Sequence, residues 1–452
     1  MAPLFPQLSA FSLANLTTPP MDQSTTIWSR CLEHAALSDV GLRRANNQDA
    51  FAVALAGGQA DFQRCGHLFL VADGMGAHAA GELASKMAAD TVSLVYQKRL
   101  DQSPPEAILS AILDANQHIH NRGQASPDFR GMGTTATTLL LLPVGALVAH
   151  VGDSRAYRWR DNRVEQLTFD HSLVWEMQAA GQLPDNGAAG LISKNIITRS
   201  LGPNPAIHVD LEGPFPVQAG DTFLLCSDGL SGQVKDEEIG MVLGSLPPAE
   251  AVRALVDLAN LRGGPDNITV IVAKVLGPQI AQNAAAEEPP PSIPANVQPV
   301  HPMVWTLLGV AALAAVGLLA MGHPLIALLS LLAAAAVGVA AMMHRYGGPG
   351  SRLRFENRRF GRGPYVACDC APNPELLGRL SEIVQQLREA ATKENWPVDW
   401  TAFDAFLGRA ALASQAADLV EAAREQLRAI SFLMAQLRRQ KAASSDSGVI
   451  DL

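Results

Sequence analysis

Cysteine is scarce in this chain of 452 residues, and its placement excludes one class of protein at once. Cys31, Cys65, Cys226, Cys368 and Cys370 are scattered and odd in number, which fits a reducing compartment and not a disulfide framework. Cys368-Asp369-Cys370 has no second pair and no nearby histidines, so it reads as structural rather than as a metal site. Basic charge is also short: the net charge is −9, and no basic stripe interleaved with aromatics occurs in the first 275 residues. A nucleic-acid partner is therefore not expected. Residues 1–26 lack a basic stretch followed by an apolar run, so they are expected to be a disordered leader and not a secretory signal.

The most local absence is of charge. Met303–Met343 contains no Asp, Glu, Lys or Arg, and Gly322-His323-Pro324 divides it into two apolar stretches. Each has roughly 20 residues, the length that crosses a bilayer core. The expectation is two transmembrane helices over 303–343; the alternative is a buried helical hairpin. Arg345, Arg352, Arg354, Arg358, Arg359 and Arg362 follow, opposed only by Glu356, so residues 344–373 are expected to be a basic juxtamembrane segment on the cytoplasmic side. Two crossings would return the amino-terminal part to that side. The expected localisation is thus multi-pass, in the inner (cytoplasmic) membrane, with both large parts in the cytoplasm.

What is present divides around that segment. Residues 27–276 alternate short apolar runs with helical patterns and are expected to form one α+β domain. Helical stretches include Ala79–Leu100, Pro104–Arg122 and Pro247–Arg262, the first and last with apolar residues at three- and four-residue spacing, and strand-like runs include His67–Asp73, Ala146–Asp153 and Ile268–Val275. Residues 277–302 are rich in Pro and Ala and read as a linker. Residues 374–441 carry apolar residues at helical spacing, with a break at Trp396-Pro397. Two or three amphipathic helices are expected there, packing on each other or on a second chain, followed by a disordered tail over 442–452.

Four aspartates share one context. Asp73 and Asp228 each end an apolar strand and precede glycine, Asp153 closes another apolar run, and Asp266 lies in a turn just before Ile268–Val275. One Asp-Gly at a strand end is usually a turn. Four beside buried strands repel one another unless cations lie between them. Hard oxygen donors without paired Cys or His select Mn²⁺ or Mg²⁺ over Zn²⁺. The glycines let backbone approach an ion closely, and the Gly74 carbonyl is itself a candidate ligand.

With its neighbours, this set resembles the metal-dependent protein phosphatase family of the protein phosphatase 2C type. The motifs run in the family's order: Ser38–Asp49, Val71–Glu82, Gly131–Thr135, Gly152–Arg155, Ser227–Leu230 and Gly264–Asn267. The resemblance implies an α-β-β-α sandwich that hydrolyses phosphoserine and phosphothreonine with two Mn²⁺ or Mg²⁺ ions and a water nucleophile. It implies that Asp73 bridges both ions, Asp228 and Asp266 complete one shell, and Gly74 contributes to the other. Asp153 would hold a third ion, Asp49 would lie close to the site, and Arg44 would bind the substrate phosphate. The implied partners are phosphoproteins and the serine/threonine kinases acting on them. Met75 stands where some members carry a histidine, leaving the general acid unassigned, with His78 a candidate; Gln48 stands where many members carry glutamate. No Cys-x5-Arg loop occurs, so no cysteine nucleophile is signalled. Two readings of another class stay open: a catalytically reduced binding module, and a membrane scaffold working through its helical tail.

Overall fold

The computed structural model describes residues 31–76, 79–99, 101–181, 196–281, 321 and 360–446. In chain order the elements are β1 (Leu32–Asp39), β2 (Asp49–Ala54), α1 (Gln59–Cys65), β3 (His67–Met75), α2 (Ala80–Lys98) and α3 (Pro104–Ala125). Then come β4 (Gly133–Thr134), β5 (Ala136–Leu142), β6 (Gly145–Val151), β7 (Arg155–Arg160), β8 (Arg163–Gln166) and α4 (Leu173–Ala179). They are followed by β9 (Asp210–Phe215), β10 (Thr222–Cys226), α5 (Asp228–Ser231), α6 (Asp236–Ser245), α7 (Pro248–Leu261) and β11 (Ile268–Val275). The last are β12 (Val366–Asp369), α8 (Pro374–Lys393), α9 (Trp400–Gln415) and α10 (Leu419–Asp446).

Two sheets stack face to face. One runs β1-β11-β10-β7-β8-β12, the other β2-β3-β5-β6-β9 with β4 paired to β3, and every pairing is antiparallel. Both faces of the central strands are covered, so these strands are apolar throughout instead of alternating. On β3, Phe69 and Val71 face the other sheet, while Leu68, Leu70 and Ala72 face α2 and α3. On β11, Ile271 and Ala273 enter the inter-sheet layer, while Val270 and Val272 face α6 and α7. The layers are helix, sheet, sheet, helix, as expected for an α+β chain.

The helices follow from local chemistry. Ser103 and Glu106 form a reciprocal cap at the start of α3, and Pro104 sits where its missing N–H costs nothing. Ile108, Ile112, Ala115 and Ile119 then recur on its buried face. At α8 the Asn373 side chain accepts the Leu376 N–H at 2.9 Å, and Leu376, Leu380, Val384 and Leu387 form the buried stripe.

The carboxy-terminal helices number three, because Ala417, at φ 57°, separates α9 from α10. Their apolar faces join α6 and α7 in one core. Polar clamps run alongside: Arg424 Nε donates to Ser245 O at 2.6 Å, Arg428 pairs with Glu250 at 2.6 Å, and Arg438 pairs with fully buried Asp257 at 2.5 Å. Residues 366–369, expected in a basic juxtamembrane segment, instead form β12 and extend the first sheet beyond β8.

The expected multi-pass membrane localisation is corrected. Among the described residues no helix is long and apolar enough to cross a membrane. The paired apolar stretches of 303–343 lie outside the described residues apart from Met321, as do the leader, most of the 277–302 linker, His78 and residues 447–452.

Candidate active site

The ladder between β2 and β3 sets Asp49 directly opposite Asp73, and Gly74 opposite Thr134 on β4. Asp228 follows β10 and begins α5, where the preceding Ser227 is tied to β11 by two hydrogen bonds: its N–H to Thr269 O at 3.0 Å, and Thr269 N–H to its Oγ at 2.9 Å. Ser227 Oγ also donates to Asp49 Oδ2 at 2.7 Å, linking the two sheets across the site. Asp266 occupies the turn before β11, and Asp153 lies buried just after β6. The structure thus brings Asp49, Asp73, Asp153, Asp228 and Asp266 to one end of the sandwich.

The electrostatics follow from five carboxylates in one place. Burial, opposed in part by hydrogen bonds and reinforced by Asp228 and Asp266, pushes the Asp49 carboxyl up to about 7. Burial, then Asp228 and Asp170, raises Asp153 to about 7. Asp73 lies two residues before the end of β3 and partly open to solvent, yet burial and its four carboxylate neighbours hold it well above the usual range. Asp228 is raised by burial and by Asp266. Two cations offset this: Arg155 acts on Asp153 and Asp228, and Arg44, about half exposed, donates from Nη2 to Asp266 Oδ2 at 2.7 Å.

Three buried oxygens of the cluster, Asp49 Oδ1, Asp153 Oδ1 and Asp228 Oδ1, have no hydrogen-bond partner among the described residues. Buried carboxylate oxygens without donors are costly, and hard divalent cations satisfy such a set. The donor chemistry therefore fits Mn²⁺ or Mg²⁺. Among the described residues no three donors close on one point as a finished ligand shell, and Asp266 Oδ2 is taken by Arg44.

Close approach explains two glycines. A Cβ on Gly74 would meet Gly81 O at 2.2 Å and Gln48 O at 2.4 Å. One on Gly229 would meet Asn267 O at 1.9 Å. Side chains here would push Asp73 and Asp228 away from their neighbours.

Several residues that hold the site carried no assigned role in the sequence. Asn267 donates from Nδ2 to Val40 O at 2.9 Å and Asn46 O at 3.0 Å, and its Oδ1 accepts the Gln48 N–H at 2.8 Å. It clamps the 40–48 loop, and with it Arg44 and Asp49, onto the start of β11. Thr135 Oγ1 accepts the Asp73 N–H at 2.8 Å and bonds Ser154 Oγ at 2.8 Å, joining the Asp73 strand to the Asp153 turn. His171 Nδ1 accepts the Gly152 N–H at 3.0 Å while its own N–H donates to Gly152 O at 2.7 Å, holding the turn from the other side. The signal available in sequence was position: Asn267, Thr135 and Ser154 each sit within two residues of a motif glycine or aspartate.

Known proteins resemble this chain over about half its length. The family model described as protein phosphatase 2C matches residues 43–260. A putative protein phosphatase 2C-type of Streptococcus pyogenes is 39% identical over 238 residues, spanning 52% of this chain and 93% of that protein. Protein phosphatase PhpP of Streptococcus pneumoniae is 38% identical over 249 residues, spanning 54% of this chain and 98% of PhpP. Among solved structures, the serine/threonine phosphatase PstP/Ppp of Mycobacterium tuberculosis shares 35% identity over 54% of this chain and 99% of that chain, with a TM-score of 0.48. With nearly the full length of its streptococcal relatives aligned and the carboxylate cluster in place, the chain belongs to the protein phosphatase 2C family of metal-dependent serine/threonine protein phosphatases.

Proposed function

We propose that the carboxylate cluster hydrolyses phosphoserine and phosphothreonine in proteins that serine/threonine kinases have phosphorylated. The observation that carries this reading is five aspartates at one end of the sandwich, three with a buried oxygen that lacks a donor. Asp73, Asp228, Asp266 and the Gly74 carbonyl would hold two ions, Mn²⁺ or Mg²⁺, and Asp153 a third. When bound, such ions supply a water nucleophile near neutral pH and neutralise charge on the phosphoryl oxygens.

The remaining work falls to the chain's own side chains. Arg44 stands at the edge of the cluster, half exposed, with one guanidinium N–H committed to Asp266. Its other N–H groups remain for two phosphate oxygens, a geometry a lysine cannot reproduce. Ser227 holds Asp49 Oδ2 so that Oδ1 stays toward the cluster. The ladder contacts and Thr135 fix the Asp73 backbone, so its Cα stays at the cluster.

The test is phosphate release from a phosphothreonine peptide with Mn²⁺ present or chelated, using the full chain. Asp228→Asn is expected to lower kcat/KM by about 10³-fold, roughly 4 kcal/mol of transition-state stabilisation. Arg44→Ala is expected to raise KM about tenfold with a smaller loss in kcat. Equal, metal-independent rates for wild type and Asp228→Asn would refute the reading.

A further inference from the structure

Residues 360–365 lie beside the catalytic cluster's own supports. Tyr365 N–H donates to Gln166 O at 2.9 Å, and the next four residues pair with β8. Its hydroxyl donates to Glu212 Oε1 at 2.5 Å, while Gly363 N–H donates to Glu212 Oε2 at 2.9 Å. Glu212, on β9, is buried, so these contacts seat the Tyr365 ring firmly.

That ring starts an aromatic file. Tyr365 meets Phe169 edge-on at 5.4 Å between centroids, and Phe169 meets Trp175 at 5.4 Å and 89°. Trp175 belongs to α4, and its other neighbour is the Arg155 guanidinium, 5.6 Å from the ring. Arg155 is two residues from Asp153 and is clamped by Asp170 at 2.7 Å. The base of α4 is fixed to the site by His171, which grips Gly152 beside Asp153, and by the Leu173 N–H, which donates to Ile196 O at 2.9 Å. After Ile196 the chain bonds Leu201 to Thr134, whose hydroxyl donates to Asp73 O at 2.9 Å. These contacts of α4's base lead toward Asp153 and Asp73, while His171 Nε2 also meets Asp210 Oδ2 on β9 at 3.0 Å and one further contact runs through Phe169. That one leads to Tyr365, far outside the residues 43–260 that the family model matches.

We infer that Tyr365 is a positioning residue for the phosphatase reaction: by bracing Phe169 and Trp175 it sets α4 beside Asp153, and so ties recognition of the phosphoprotein to the carboxy-terminal segment. This rests on the proposed activity. A small phosphomonoester reaches the carboxylates without touching α4, whereas a phosphopeptide extends past the cluster and meets its surroundings.

The experiment compares p-nitrophenyl phosphate with a phosphothreonine peptide for wild type, Tyr365→Ala, Tyr365→Phe and Phe169→Leu, and follows hydrogen exchange of the Leu173–Ala179 amides. Expected in Tyr365→Ala is a rise of about fivefold in peptide KM, the factor set by losing one aromatic pair. kcat/KM on p-nitrophenyl phosphate should stay within about twofold. The α4 amides should exchange faster, and Tyr365→Phe, which keeps the ring but not the Glu212 bond, should fall between wild type and Tyr365→Ala in both readouts. If Tyr365→Ala does not fold, Phe169→Leu removes the same contact from the other side. Unchanged peptide KM and unchanged α4 exchange would overturn the inference. If wild type cleaves neither phosphoester, the proposed activity falls, and exchange alone decides whether Tyr365 braces α4.

Discussion

Asp49 and Asp73 face each other across the β2–β3 ladder, so two carboxylates occupy directly opposed positions on neighbouring strands. Like charges placed that way destabilise a sheet. The fold tolerates the pair because Ser227 bonds one oxygen of Asp49 and the backbone of Asp73 is fixed by Thr135.

The first prediction concerns pH. In the fold Asp49 and Asp153 titrate near 7, whereas unfolded aspartates titrate near 4. Between those values the folded state holds the extra protons, so its stability falls as pH rises. The Tm of chelator-treated protein should therefore drop between pH 5 and pH 8. Asp73→Asn, which removes one of the repelling charges, should raise that Tm at pH 8 by about 2–4 °C, or ~1 kcal/mol. Thermal unfolding with and without chelator measures both; a Tm that is flat across this range in wild type would contradict the charge-cluster account.

A second prediction follows from Asn267, which satisfies two carbonyls and one N–H of the 40–48 loop. Asn267→Ala should cost about 2 kcal/mol in urea unfolding, since three part-buried hydrogen bonds to the loop backbone are lost. Apparent Mn²⁺ affinity should weaken about 10–100-fold, because the supports of Asp266 and Asp49 loosen. Wild-type metal affinity in this variant would show that the loop holds itself.

The third prediction concerns the contact between α7 and α10. Asp257 is fully buried and Arg438 pairs with it. Arg438→Ala should destabilise the chain by about 2 kcal/mol, less than a wholly buried pair because Arg438 is partly exposed. Arg438→Ala combined with Asp257→Leu should recover much of that loss, since no charge is then stranded. The urea midpoints of the single and double variants decide it; equal midpoints would mean the lone carboxylate is solvated by other means.

The site was more legible in sequence than the way it is held. Asp73, Asp153, Asp228 and Asp266 announce themselves because a carboxylate next to a buried apolar strand is an expensive arrangement with few uses. Asp49 carries no such mark; its place opposite Asp73 depends on strand register, which only the folded ladder sets. Asn267 and Thr135 were inside motifs, yet their work is done by side-chain bonds to backbone far away in sequence. The apolar stripe of α8 was visible from its spacing, but a stripe does not name what it covers, and α6 and α7 proved to be the partners. β12 was hidden altogether. Four residues give no periodicity to detect, and the arginines before them suggested a different environment.

The β12–β8 pairing also changes what continuity of the chain means here. Across the interval from Ala281 to Phe360, the later residues are stitched to the earlier ones by a strand, a shared apolar core and the Arg438 clamp. A single peptide-bond cut in that interval would separate the chain covalently without separating it physically. The two fragments would stay together as one enzyme, in the manner of a split protein.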